Sequence, residues 1–130
     1  SSLGVDFMSP AHALGDALQA QRHRRCSIKT LLLDQHVIAG LGNMLVDESL
    51  FHAGIDPRRS CDSLSSVDVD GLAEQISATA TELESRGGSH TGTLHPDLRN
   101  ALAVCPLDGA HLQRMKISGR TTIFCSQHQR

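Results

Sequence analysis

Two glycines separated by a single residue interrupt a stretch of otherwise helical spacing, and this interruption limits how the neighbouring segments can fold. Residues 28–35 carry apolar side chains at helical spacing before it, and residues 43–52 are expected to form a second helix after it. Gly40 and Gly42 tolerate the positive φ angles of tight turns, which other residues rarely adopt. The sequence therefore predicts a helix, a double turn and a second helix that stops at Gly54.

Capping residues predict where the other helices begin. Ser9 and Pro10 predict the start of the first helix, with Ser9 as its N-cap and Pro10 at the first helical position. Ser27 is expected to cap the helix that precedes the double turn. Ser65 and Asp68 have the spacing of a capping box, which predicts a further helix with an apolar stripe. The stripe consists of Leu72, Ile76, Ala80 and Leu83.

The residues after this helix change character. A loop is expected over 88–95 and a short helix over 96–104. From Cys105 onward, two short strand-like runs flank Ser118 and Gly119, a pair that favours a tight two-residue turn. The end of the chain is therefore predicted to form a β-hairpin.

Four potential metal ligands flank this hairpin in two pairs. Cys105 and Asp108 precede it, Cys125 and His128 follow it, and two residues separate the members of each pair. Because all four residue types can bind Zn²⁺ and the hairpin brings the two loops together, we expect one zinc ion here. His111 is an alternative ligand to Asp108. A metal-free finger is the other alternative, held by the apolar residues Leu112, Ile117, Ile123 and Phe124.

Charge is unevenly distributed along the chain. The formal net charge is −2, which argues against a uniformly basic nucleic-acid binder. Residues 1–60 sum to 0, residues 61–104 to −5 and residues 105–130 to +3. A basic end beside an acidic middle favours a local contact with an anion.

Composition excludes two classes of function and indicates a compartment. With three Phe, no Tyr and no Trp, the chain can hardly build a platform for stacking single-stranded bases. No stretch approaches the ~18 consecutive apolar residues of a membrane span, so no membrane partner is expected. Cys26 and Cys61 are expected to be small core residues, and a reduced, cytoplasmic setting is favoured over a disulfide framework.

Several motifs resemble those of one protein family in its own order. They are IKTLLLDQ at 28–35, AGLGN at 39–43, DE at 47–48, FHAGIDP at 51–57, KISGR at 116–120 and FC at 124–125. This pattern resembles the formamidopyrimidine-DNA glycosylase / endonuclease VIII family, and the match runs from Leu3 to Arg130. The resemblance implies a mainly α fold: a helix–two-turn–helix bundle over 1–104, followed by a small β-hairpin zinc finger over 105–130.

The resemblance also implies a role for individual residues. Family members hold the phosphates of the damaged strand with residues at the positions of Lys29, Asn43 and Arg120, so double-stranded DNA, abasic or damaged, is the expected partner. The alternatives are a solvated surface lysine, a helix cap and an ordinary turn residue, respectively. Asp47 and Glu48 match a family pair that is mainly structural, and they are expected in the first turn of their helix.

The family's catalytic groups are a Pro amine and an adjacent Glu at the start of a preceding β-rich domain. This chain begins Ser1, Ser2, Leu3, Gly4, without that pair. We therefore expect a monomeric DNA-binding module of the cytoplasm or nucleoid that lacks catalytic residues of its own. The alternatives are part of an active glycosylase or AP lyase, an enzyme that uses the amine of Lys29 or Lys116, and a protein-interaction module that has lost DNA binding.

Overall fold

The computed structural model describes residues 3–85 and 103–130, apart from the side chain of Leu83. Within these ranges the fold is mainly α-helical with a small antiparallel hairpin, as expected. The elements are β1 (Val5–Asp6), α1 (Ala11–Ala20), α2 (Ile28–Leu33), β2 (Ile38–Ala39), α3 (Asn43–Ala53), a 3-10 turn (Cys61–Ser63), α4 (Ser66–Ser85), β3 (Gln113–Ile117) and β4 (Arg120–Phe124). The loop expected over 88–95 and most of the short helix expected over 96–104 lie outside the described residues.

The double turn joins α2 to α3, and only one of its glycines requires a positive φ. Gly40 has φ +86°, and a Cβ there would lie 2.8 Å from the ring of Phe7. Gly42 has φ −84° and is the N-cap of α3, so only Gly40 uses the positive φ that both glycines permit. At the other end of the unit, the amide of Thr30 donates to Ser27 Oγ (3.2 Å), so the predicted cap of α2 is confirmed.

The first helix begins one residue later than the capping rule predicts. α1 starts at Ala11, with Pro10 in the N-cap position and no side-chain capping bond. Ser9 is not the cap because Pro10 has ψ 154°, outside the helical range, and the amide of Ser9 donates to the carbonyl of Asp6 (2.9 Å) in the turn that follows β1. β1 itself pairs in parallel with β2, Val5 opposite Ile38. These two-residue strands are too short to leave an alternating pattern in the sequence.

The fourth helix is introduced by the predicted capping box. The amide of Asp68 donates to Ser65 Oγ, the amide of Ser65 donates to Asp68 Oδ2, and both distances are 3.0 Å. The stripe residues Leu72, Ile76 and Ala80 are buried. The helix packs against α1 and α3, and Cys61 lies in the same core. No helix in the described ranges combines the length and apolarity that a membrane crossing requires.

Helix α3 supports both halves of the fold. It ends at Ala53, and Gly54 adopts the left-handed conformation (φ 71°) that the sequence predicts for the stop. One side of α3 packs on α4, and another packs on β4. Phe51, which is fully buried, lies in a second apolar cluster with residues of the hairpin region. That cluster also contains Ala103, Cys105, Leu112, Ile123 and Cys125.

Candidate functional site

A groove of about 330 Å³ lies between the start of α3 and the hairpin. It is lined by Gly40, Gly42, Asn43, Met44, Leu45 and Arg120. The first amides of a helix have no partner within the helix and carry its positive partial charge, so this end of α3 favours an anion. Arg120 is exposed, and no carboxylate of the described residues pairs with it. The groove therefore brings Asn43 and Arg120 together.

Asn43 links the helix to the hairpin. Its Nδ2 donates to the carbonyl of Thr121 (2.9 Å). Its Oδ1 is buried and accepts no hydrogen bond from any part of the chain that the structure describes. The alternative that Asn43 caps α3 is wrong, because Gly42 occupies the cap position and Asn43 is the first helical residue.

The turn of the hairpin sets the position of the Arg120 backbone. Ser118 and Gly119 have φ angles of 51° and 74°, the positive values of a type I′ turn, which confirms the predicted two-residue turn. Ser118 Oγ and Thr30 Oγ1 lie 2.7 Å apart in a hydrogen bond, so the tip is attached to α2.

Lys29 lies in the interior of the fold, where neither a phosphate contact nor a solvated surface lysine was expected. Its side chain is completely buried, so it is neither a solvated lysine nor part of the groove lining. The Nζ donates to Asp47 Oδ1 (2.7 Å), to Thr122 Oγ1 (2.8 Å) and to the carbonyl of Thr121 (3.2 Å). A buried ammonium persists only when it is paired and hydrogen-bonded, and these acceptors meet that condition.

The acidic pair of α3 lies in its second turn, not its first, because the helix already begins at Asn43. Asp47 Oδ2 accepts from the amide of Ile123 (3.2 Å), so this carboxylate holds both Lys29 and β4. Glu48 Oε2 lies 2.6 Å from His52 Nε2, and this hydrogen bond raises the pKa of His52. Both carboxylates thus contact groups within the protein.

The four expected metal ligands form one group. Their donor atoms all lie within 4.8 Å of one another. Asp108 Oδ2 is 3.1 Å from Cys125 Sγ and 3.2 Å from His128 Nδ1, while Cys105 Sγ is 3.9 Å from that same nitrogen. A tetrahedral zinc ion with bonds of about 2.0–2.3 Å holds its donors roughly 3.3–3.8 Å apart, so the group fits zinc with small adjustments. His111 is exposed and lies outside the group.

Local hydrogen bonds shape the loop that carries the first two donors. The amide of Ala110 donates to Asp108 Oδ1 (2.9 Å), and this bond, with the thiol of Cys125, lowers the pKa of Asp108 to about 2. The amide of Leu107 donates to Cys105 Sγ (3.4 Å). The apolar residues that would support a metal-free finger, Leu112, Ile117, Ile123 and Phe124, are also buried. The finger thus combines an apolar core with a donor group.

Sequence reasoning missed the residues that attach the hairpin. Thr30, Thr121 and Thr122 each contribute a hydroxyl or a carbonyl to the contacts with Lys29, Asn43 or Ser118. No local signal marks them, because each partner lies 78 to 93 positions away in the sequence.

Together, a helix–double turn–helix and a hairpin with a four-donor group enclose a groove that favours an anion. The family model described as the formamidopyrimidine-DNA glycosylase H2TH domain matches residues 3–93. The chain belongs to this family.

Relatives of known name and structure agree with this assignment. The formamidopyrimidine-DNA glycosylase of Geobacillus kaustophilus is 36% identical over 143 aligned residues, which cover 100% of this chain and 52% of that protein. The crystal structure of MutM (Fpg) from Thermus thermophilus matches 98% of this chain and 54% of its own, with a TM-score of 0.82 and 28% identity. Lactococcus lactis Fpg, solved with DNA that contains an abasic site, has a TM-score of 0.80 and 27% identity, over 98% of this chain and 52% of its own. The chain spans about half the length of the relatives it matches.

Replacing Lys29 with Met tests the buried ion pair. The substitution leaves Asp47 buried without its cation, so we expect the free energy of unfolding to fall by about 3–5 kcal/mol. The double variant Lys29→Met/Asp47→Leu removes both charges, so its free energy of unfolding is expected to fall by less than that of the single variant. Urea denaturation measures both.

The other lysine of the chain provides the control. Lys116 is exposed on β3, so Lys116→Met is expected to change stability by no more than about 0.5 kcal/mol. Equal, small losses for Lys29→Met and Lys116→Met would contradict a structural role for the buried pair.

Proposed function

We propose that the chain holds double-stranded DNA by its phosphates, with abasic or damaged sites as the preferred target. The observation that carries this proposal is the meeting of Asn43 and Arg120 in one groove at the N-terminus of α3. Helix amides and an arginine fork are complementary to a phosphate group in both charge and hydrogen bonding. The abasic-site DNA bound by the Lactococcus lactis relative supports the choice of target.

In this proposal Lys29 is a positioning residue rather than a phosphate ligand. Its ammonium and the Nδ2 of Asn43 donate to the same carbonyl, that of Thr121, which directly follows Arg120. Lys29 would thus hold the start of β4 at the distance from α3 that the groove requires.

Phosphates are favoured over bases because aromatic surface is scarce. Phe51 and Phe124 are buried, and Phe7 packs against the core. None of the three is placed to stack on an exposed base. Recognition by Asn43 and Arg120 would therefore depend on the backbone and the shape of the DNA.

The described residues favour binding over chemistry. An amine nucleophile must be accessible and activated, whereas the amine of Lys29 is buried in an ion pair. Lys116 is exposed, and no carboxylate in the described ranges pairs with it. We therefore propose that removal of a base, if the protein performs it, does not use either lysine.

We also propose that Cys105, Asp108, Cys125 and His128 hold one zinc ion. The support is the spacing of their donor atoms, together with a donor set that zinc accepts. When bound, the ion would cross-link the two loops that flank the hairpin and so restrict the motion of β4 and Arg120.

Arginine substitutions on the hairpin test the groove. Arg120→Ala removes a proposed phosphate contact, so affinity for a duplex with one abasic site is expected to fall roughly tenfold, with a salt slope shallower by about 1. Asn43→Ala is expected to weaken binding as well. Fluorescence anisotropy over a range of salt concentrations measures both quantities.

The matched control is Arg114→Ala, which removes the same charge from exposed strand β3 without altering the groove lining. It is expected to keep most of the affinity. If Arg114→Ala and Arg120→Ala lower the affinity for the duplex equally, or if the unaltered protein does not bind the duplex at low salt, the groove is not the phosphate site.

Metal analysis tests the zinc centre separately. Protein purified without added zinc is expected to carry about one zinc per chain, and Cys105→Ala is expected to lose it. Cys61→Ala serves as the control because Cys61 is a buried thiol of the other apolar cluster and should leave zinc content unchanged. Zinc that persists in Cys105→Ala would rule out the proposed ligand set.

A further inference from the structure

Residues 128–130 lie against the C-terminal end of α3. The amide of Arg130 donates to the carbonyl of Gly54 (2.9 Å), and Gln129 Nε2 donates to the carbonyl of Ile55 (2.9 Å). Gln129 Oε1 in turn accepts from the amide of Cys125 (2.7 Å). The loop that carries two of the four donors is therefore attached to the end of a helix that also forms the groove.

His128 makes this attachment through its ring. Its Nε2 lies 3.1 Å from the carbonyl of Phe51, and the two rings meet edge to face with centroids 4.6 Å apart. The opposite ring nitrogen, Nδ1, points at the donor group, 3.2 Å from Asp108 Oδ2. The carbonyl of Phe51 also accepts from the amide of the C-cap Gly54 (3.3 Å), and as an acceptor with two lone pairs it can take the ring N–H as a second donor that stabilises the helix end.

The contact with Phe51 defines the form of the ring that can bind an ion. A carbonyl can only accept, so Nε2 must carry the hydrogen of this contact, and an ion bound at Nδ1 would take the place of any hydrogen that Nδ1 shares with Asp108 Oδ2. That is the form in which a histidine ligates a metal, with its second nitrogen donating to a main-chain carbonyl.

We infer that His128 couples the metal centre to helix α3, ligating the ion through Nδ1 while Nε2 donates to the carbonyl of Phe51. This inference rests on the zinc site proposed above. A cysteine at position 128 would supply a ligand but no second donor, so the coupling is a property of histidine at this position. By linkage, ion binding stabilises the last turn of α3, and an intact last turn strengthens ion binding equally.

Two substitutions separate the two ring functions. His128→Cys keeps a metal ligand and removes the donor to Phe51, whereas His128→Gln keeps an N–H donor and removes the ligand. His111→Cys is the matched control, since it introduces a thiol at an exposed histidine of the finger that lies outside the donor group. Each protein is examined with zinc and after zinc removal, by metal content and by amide hydrogen exchange of residues 50–55.

In the unaltered protein and in His111→Cys, zinc is expected to slow exchange at residues 50–55 by roughly tenfold. His128→Cys should still carry about one zinc per chain, with most of that protection lost. His128→Gln should bind zinc at least roughly tenfold more weakly, because one ligand is gone.

The outcomes distinguish this inference from the zinc site itself. Full zinc-dependent protection in zinc-loaded His128→Cys would overturn the coupling and leave the metal site intact. Unchanged zinc affinity in His128→Gln would show that His128 is not a ligand and would also overturn it. If the unaltered protein takes up no zinc, the proposed metal site and the coupling both fail.

Discussion

The buried ion pair between Lys29 and Asp47 is the interaction on which the arrangement of the groove depends. Moving two charges out of water costs several kcal/mol for each ion, so the pair persists only because its remaining hydrogen bonds are made. Those bonds go to Thr121, Thr122 and the amide of Ile123, all on β4. The satisfaction of the buried charges therefore requires the hairpin to lie against α2 and α3, and this contact sets the position of Arg120 relative to the helix.

Helix α3 carries the parts of the site along its length. Its first residue, Asn43, lines the groove and holds the carbonyl of Thr121. Its second turn supplies Asp47, and the carbonyl of Phe51 in its last turn accepts from His128. A helix of 11 residues thus contacts both the groove and the donor group. Its sides also pack on α4 and β4, so the site shares the core that stabilises the fold.

The features that the sequence predicts correctly have signals within a few residues. The capping box of Ser65 and Asp68 and the turn at Ser118 each involve residues that are close in the sequence. Cys105 and Asp108 lie in one donor group, as their separation by two residues predicts. The burial of Lys29 has no such signal, because lysine is usually exposed and its partner Thr122 lies 93 positions away. A shared phosphate contact of Asn43 and Arg120 was expected only through a family resemblance, since spacing alone does not show that the two residues meet.

Asn43 at the start of α3 and Arg120 on the hairpin held by the buried pair are proposed to act as one phosphate site. The most direct measurement is an NMR titration with a short abasic duplex that follows the side-chain amide of Asn43 and the Nε–H of Arg120. If the two residues share one phosphate, both resonances shift with the same dissociation constant. Shifts confined to one of them, or a response at Arg22, Arg24 and Arg25 with both groove resonances unmoved, would contradict a shared phosphate site.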